Sequence, residues 1–280
     1  KLYDGHDWKW FRAGLLHTDM EYLRRHWSGK KSSAPVLEKR HQKYYLRFSY
    51  TEEVTLSKTP VKDQLICSVD LGINTDAVCS IMRSDGTVLD RKFINFPSEK
   101  DRLSHVLGRI RRFQKEHGSR QIGSRWAYAK RLNTELARKT ARSIAEYARE
   151  NHADVIVFEY LEMKGKISGK KRQKLHLWKK REIQTMCEHK AHRYGIRVSR
   201  VCAWNTSRLA YDGSGPVSRD PKNHSLCVFQ SGKQYNCDLS ASYNIGARYW
   251  IREIIKTLPE TERSSLEAKV PAVKRRTSCV

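Results

Sequence analysis

Short, nearly unbroken apolar runs alternate along this chain with longer stretches in which apolar residues return every three or four positions, the pattern of buried strands interleaved with amphipathic helices. Leu65–Leu71, Asp76–Met82 and Val88–Ile94 read as three strands. Ser84-Asp-Gly86 between the last two is a strong hairpin signal, so the three are expected to form an antiparallel meander. Leu103, Val106, Leu107, Ile110 and Phe113 recur at helical spacing, and Leu132, Leu136, Ile144 and Ala148 mark the stripe of a second, long helix ending near Glu150-Asn-His-Ala153. Val155–Phe158 is the next strand. Leu177, Trp178, Ile183, Met186, Cys187 and Ala191 form a helix stopped by Tyr194-Gly195, Ile196–Val201 is a further strand, and Ala241–Ile255 is the closing helix. The order predicts an α/β fold with a mixed sheet flanked by helices.

The flanks are different. From Pro35 to Val54 an apolar alternation through Tyr44, Leu46, Phe48 and Tyr50, preceded by the polar turn Glu38-Lys-Arg-His-Gln42, reads as a hairpin in a small β-module. A linker, Ser57-Lys-Thr-Pro-Val-Lys-Asp63, separates it from the meander. Gly165–Lys174 is too polar and Gly-interrupted to be core and reads as a basic loop. Trp204–Gln234, with Gly213, Gly215 and Pro216, reads as an irregular insert, and Glu260–Val280 as a frayed basic tail.

Composition narrows the partners. Lysine and arginine total 55 against 30 acidic residues, a net charge of +25 over 280 residues, and the excess is spread along the chain. This favours a polyanion. No run reaches the ~18 apolar residues needed to span a bilayer, and the chain shows no signal-peptide pattern. Seven cysteines without a CxxC pair argue against a disulfide framework and fit a reducing cytoplasm.

Against that basic background, three acids each close or follow an apolar run: Asp70 in Leu65-Ile-Cys-Ser-Val-Asp-Leu-Gly-Ile73, Glu159 in Asp154-Val-Ile-Val-Phe-Glu-Tyr160, and Asp238 in Tyr235-Asn-Cys-Asp-Leu-Ser-Ala241. Each has a bland explanation. Asp70 can begin a turn, Glu159 can pair with a local lysine, and Asp238 can cap a helix beginning near Ser240. Together, at sheet ends in a basic protein, they suggest carboxylate ligands for a hard cation such as Mg2+ (or Mn2+) and a metal-dependent nuclease. Arg109, Arg112, Arg125, Lys130 and Arg131 on the two helices, Lys164, Lys166, Lys170 and Lys171 in the basic loop, and Arg208 in the insert are candidates for phosphate contact. Trp126, Trp178 and Trp204 are candidates for base stacking, with core packing the better expectation for Trp178.

At these residues the chain resembles the C-terminal half of the TnpB nucleases and the related compact CRISPR type V effectors. Ser68-Val-Asp-Leu-Gly-Ile-Asn74 is similar to the first motif of their split RuvC domain, Val155–Gly165 to the second, and Cys237–Ile245 to the third. Arg193–Val198 and Asn205-Thr-Ser207 resemble the connection into a target-nucleic-acid-binding insert. The resemblance spans roughly Pro35 to Arg252. It implies an RNase H-like (RuvC) sheet, a guide RNA, a target DNA, and RNA-guided cleavage by two metal ions held by Asp70, Glu159 and Asp238. It also implies an organisation of 1–62 as the last piece of a wedge-like domain with more protein upstream, 63–203 as the nuclease domain, 204–235 as the insert, 236–258 as the third motif with its closing helix, and 259–280 as a disordered tail. The localisation it implies is cytoplasmic in a prokaryote, in association with the nucleoid when bound to DNA, without a membrane partner. Two departures stand out. The family's insert usually bears a four-cysteine zinc ribbon, yet Arg208–Gly215 replaces the first CxxC and Cys227 stands without a paired thiol, which argues against structural zinc. Ser240 stands where asparagine is common, with Asn236 two residues before the acid, and neither is expected to be a primary ligand. Two other functions remain open from sequence: guided DNA binding without cleavage, and a stand-alone RuvC-type resolvase, against which the insert speaks.

Overall fold

A computed structural model describes residues 1–3, 5–10, 12–40, 42–118, 122–160, 178–221, 223 and 225–269. The chain divides into two compact units, Lys1–Val54 and Thr55–Val280.

In the first unit, a short ribbon pairs β1 (Leu2–Tyr3) with β2 (Trp8–Lys9), and α1 spans His17–Trp27. Strand β3 (Lys31–Ser32) pairs with β6 (Tyr50–Thr51), enclosing the expected hairpin of β4 (Val36–Arg40) and β5 (Lys43–Arg47). The hairpin turns tightly, with Gln42 at φ 64°. None of the described residues in this unit is buried. Of the alternation through Tyr44, Leu46, Phe48 and Tyr50, the last three are half-buried and Tyr44 is 65% exposed, as short ribbons without a second layer allow.

The second unit is built on a five-stranded mixed sheet of β7 (Ile66–Leu71), β8 (Ala77–Met82), β9 (Val88–Ile94), β10 (Val155–Tyr160) and β11 (Arg197–Cys202), in the order β11-β10-β7-β8-β9. The meander is antiparallel as expected; β10 and β11 join β7 in parallel. The β8–β9 turn closes through the Asp85 carboxylate, which accepts from Thr87 N at 2.8 Å, with Gly86 at φ 88°. Gly72 follows β7 where an added Cβ would lie 2.6 Å from the Thr75 carbonyl oxygen, so the turn out of the strand needs glycine.

Both sheet faces are covered, which is why the central strands read as continuous apolar runs. One face, carrying Cys67, Val69, Ile156 and Phe158, packs on α3 (Gly123–Glu150) and α4 (Lys180–Arg193) through Ala141, Ile144, Ala148, Ile183 and Cys187. The other, carrying Ile66, Val78, Val155, Val157 and Val201, packs on α5 (Cys237–Thr257) through Leu239, Tyr243, Ile245 and Trp250. Gly246 lets α5 sit low on the sheet: a Cβ there would come within 2.5 Å of the Met82 sulfur. Helix α2 (Pro97–His117) packs on α3 in a smaller cluster of Leu103, Val106, Leu107, Ile110 and Ala129. A strap ahead of β7 is tied down by Asp154, whose carboxylate accepts from Ser57 Oγ at 2.6 Å, Thr59 Oγ1 at 2.5 Å and Leu65 N at 2.9 Å.

The insert differs from its expected irregularity. It contains a three-stranded antiparallel sheet of β12 (Ser218–Arg219), β13 (Leu226–Val228) and β14 (Gln234–Asn236). Strands this short show no alternation in a sequence. Around it Tyr211, Phe229, Tyr235 and Tyr243 make ring contacts with centroids 5.0–5.9 Å from Tyr211 or Phe229 to their neighbours, and Lys233 Nζ lies 5.1 Å from the Tyr211 ring centre. Residues 260–269, expected in the frayed tail, form helix α6 (Glu260–Lys269), with Glu260 and Glu262 in its favourable first turn.

Candidate functional site

Side chains alternate across a strand, so the residues that share a face with Ile66 on β7 are Ser68 and Asp70, and those that share it with Val155 on β10 are Val157 and Glu159. The parallel register pairs Val69 with Phe158. One residue further on, Asp70 and Glu159 stand side by side at the ends of the two central strands, on the face that α5 covers. Helix α5 brings the third acid: Asp238 lies in its first turn. Asp238 is not the cap. The N-cap is Asn236, whose Oδ1 accepts from Leu239 N at 2.9 Å, and the helix starts four residues before the expected Ala241 because of it. Asp238 therefore has no backbone duty of its own.

Glu159 is buried, at 8% exposure, while Asp70 and Asp238 are half-buried. The electrostatics tie the three together. Burial, then the charges of Glu159 and Asp238, push the Asp70 carboxyl well above the usual carboxylate range, against the pull of Arg219. Burial raises Glu159 too, opposed by a hydrogen bond from Thr206 and by the charges of Arg248 and Lys180. Asp238 is raised by burial and drawn back by Arg219. Lys180 is depressed by burial and by neighbouring Arg181, against the charge of Glu159.

The Thr206 hydroxyl makes a short bond to Glu159 Oε1, and Asn244 Nδ2 holds the Thr206 turn by donating to the Thr206 and Leu209 carbonyls at 2.9 and 2.8 Å. Among the described residues, no three His, Cys, Asp or Glu side chains converge closely enough to hold one ion. Glu159 faces Thr206. The donor set nonetheless fits a hard divalent cation: it offers carboxylate oxygens only, with the charges of Glu159 and Asp238 bearing on Asp70.

The structure brings Arg109 and Arg125 together at a hollow of about 260 Å3 between α2 and α3, with Val106, Ile110 and Tyr128. Arg112, Lys130 and Arg131 are exposed on the same two helices, and Arg208 is exposed after Ser207. Arg125 lies 4.4 Å over the Phe113 ring and Arg131 5.8 Å over Tyr128. Lys164, Lys166, Lys170 and Lys171 lie outside the described residues. Trp126 packs between α2 and α3, and Trp178 packs on the α3–α4 face of the core, as expected of it. Sequence reasoning missed Thr206, Arg219, Arg248 and Lys180 at the acidic cluster. Thr206 had a signal, in the Asn205-Thr-Ser207 motif; the three cations were indistinguishable from the surrounding basic residues.

Fold and site together define a strongly basic α/β protein in which Asp70 and Glu159 end adjacent central strands and Asp238 stands on the helix that covers that sheet face. Residues 181–245 match the family model of the Cas12f1-like TNB domain. Over 247 residues the chain is 26% identical to a TnpB-like protein of Aquifex aeolicus (strain VF5), covering 80% of this chain and 79% of that one. Among solved structures it is similar to Cas12f1 in a Cas12f1-sgRNA-target DNA complex, at 20% identity and a TM-score of 0.51, over 75% of this chain and 54% of that one. The chain thus spans about half the length of that Cas12f1 protein. It is similar to a TnpB-like protein over most of its length, and to the Cas12f1-like TNB domain over residues 181–245, in line with the resemblance its motifs carry. No helix among the described residues is long and apolar enough to cross a membrane.

Proposed function

We propose that this chain is the nuclease part of an RNA-guided DNA endonuclease, with an RNase H-like (RuvC) domain whose Asp70, Glu159 and Asp238 hold magnesium or manganese. The observation that carries this is the register placing Asp70 beside Glu159 on the sheet face covered by the helix that bears Asp238, in a relative of TnpB. When bound, the ions would activate a water and stabilise the departing 3′ oxygen in an in-line displacement.

The chain's own residues prepare the site. Thr206 orients Glu159, and the Asn236 cap fixes the turn that carries Asp238. Arg219 on β12, whose charge reaches both Asp70 and Asp238, draws a phosphodiester toward them. Arg109, Arg112, Arg125, Lys130, Arg131 and Arg208, with Lys164, Lys166, Lys170 and Lys171, hold the phosphates of guide RNA and target DNA through salt-sensitive contacts. Residues 1–62 would be a wedge-like piece, 63–203 and 236–258 the nuclease domain, 204–235 the target-binding insert, and 259–280 a basic tail. The work would be done in a prokaryotic cytoplasm.

The test is cleavage of a DNA target complementary to the RNA that copurifies with the full-length protein. Cutting should require Mg2+ or Mn2+ and vanish in Asp70→Ala, Glu159→Ala and Asp238→Ala while guided binding persists. Specific binding with no cutting at any cation concentration would support a DNA-binding role instead; cutting of branched DNA without RNA would support a resolvase.

A further inference from the structure

Lysine is among the residues least often buried, because its ammonium surrenders water on burial. Lys180 is only 8% exposed. It is also the first residue of α4, where the helix dipole disfavours a cation, and it stands next to Lys179 and Arg181. Lys179 is paired with Glu182 and donates to Thr134 Oγ1 at 2.7 Å. Lys180 has the Trp178 ring, 5.6 Å from its Nζ, and the charge of Glu159. Geometry places Lys180 near the end of β10: one turn along the same helix face, Gln184 Nε2 donates to the Glu159 carbonyl oxygen at 2.8 Å and fixes α4 against that strand end.

The dependence is one-sided. Glu159 also has the Thr206 hydroxyl and the Arg248 charge, whereas Glu159 is the carboxylate whose charge reaches Lys180. A divalent cation taken up by Glu159 would draw on that counter-charge and add positive charge of its own. The buried ammonium would then need an anion supplied from outside, and a strand of nucleic acid supplies one in its phosphodiester.

We infer that Lys180 is a phosphate-binding residue of this site, and that through it the uptake of cation and the uptake of a nucleic-acid strand reinforce each other. The inference rests on the metal-centre reading of Asp70, Glu159 and Asp238. The isosteric, uncharged variant Lys180→Met separates it from a merely structural role. Mn2+ binding to the full chain is followed by electron paramagnetic resonance, alone and with a short single-stranded phosphorothioate DNA, after thermal melting has shown that the variant folds. In the wild type the DNA should tighten Mn2+ binding about tenfold. Lys180→Met should bind Mn2+ about tenfold more tightly without DNA and gain little when DNA is added, whereas Lys180→Arg should behave as wild type. A Lys180→Met variant whose Mn2+ affinity is weakened or unchanged, with the response to DNA intact, overturns the role of Lys180 alone. Failure of the wild type itself to bind Mn2+ overturns the metal-centre reading and this role with it.

Discussion

Replacing Asn236 with alanine should damage the site through the helix end that carries Asp238. Asn236 Oδ1 accepts from Leu239 N at 2.9 Å, and Asp238 lies inside the turn that this bond closes. Losing such a cap costs about 1 kcal/mol, within a range of about 0.5–2. For a domain of this size that lowers Tm by roughly 2–4 °C. The loss of cleavage should be larger than the loss of stability, because a misplacement of about 1 Å at a reacting centre can cost on the order of 100-fold. The variant should therefore melt a few degrees early by circular dichroism, yet cut 10- to 100-fold more slowly (on the order of the same misplacement cost) in single-turnover assays at temperatures where it is fully folded. Asn236→Ser restores an acceptor at the cap and should recover most of both. If Asn236→Ala cut at the wild-type rate while melting early, the cap would stabilise α5 without positioning Asp238, and the argument would be wrong.

Three further outcomes follow from the same geometry. The Asp70 carboxyl is raised above its ordinary value, so its ionisation costs stability that is present at low pH and lost as pH rises from the usual carboxylate range through the raised value; in cation-free buffer at neutral pH, Asp70→Asn should melt no lower than wild type, and added Mg2+ should stabilise only the wild type. Asp154 is the opposite case: burial pushes its carboxyl up, but bonds from Ser57, Thr59 and Leu65 N and the charge of Arg197 hold it below the ordinary value, so its contribution is present above the unfolded pKa and lost as pH falls through the lowered one. Asp154→Asn should accordingly lower Tm at neutral pH and make less difference in acid, as thermal melts across pH would register. Gly72→Ala drives a methyl against the Thr75 carbonyl and should cost about 1–3 kcal/mol in urea unfolding, with no change expected if the turn can relax freely.

The strands of the central sheet were legible because they are buried on both faces: Ile66–Leu71 and Val155–Tyr160 stand out as apolar runs whatever surrounds them. Asp70 and Glu159 stand out at the ends of those runs for the same reason, although each alone has an ordinary structural use and only the parallel register sets them side by side. Boundaries were less legible. Asn236 and Cys237 look like loop residues until the cap bond is seen, so the sequence places the start of α5 at Ala241, four residues late, and leaves capping open as an alternative for Asp238 that Asn236 in fact fills. The insert's strands are two or three residues long and owe their pairing to the aromatic cluster around Tyr211, a tertiary effect with no local period. Nor does any spacing distinguish Lys180 or Arg219 from 53 other basic residues, given 55 in all. Only the fold does, by placing the charge of Lys180 near Glu159 and that of Arg219 near Asp70 and Asp238.

The most direct measurement for the central claim is anomalous diffraction at the manganese edge from crystals of the chain grown or soaked with Mn2+. The account predicts an anomalous peak in contact with Asp70, Glu159 and Asp238, with the Glu159 carboxylate turned away from Thr206, and loss of that peak in Asp238→Asn. Well-ordered crystals with no manganese at the three acids, and Glu159 still bonded to Thr206, would contradict it.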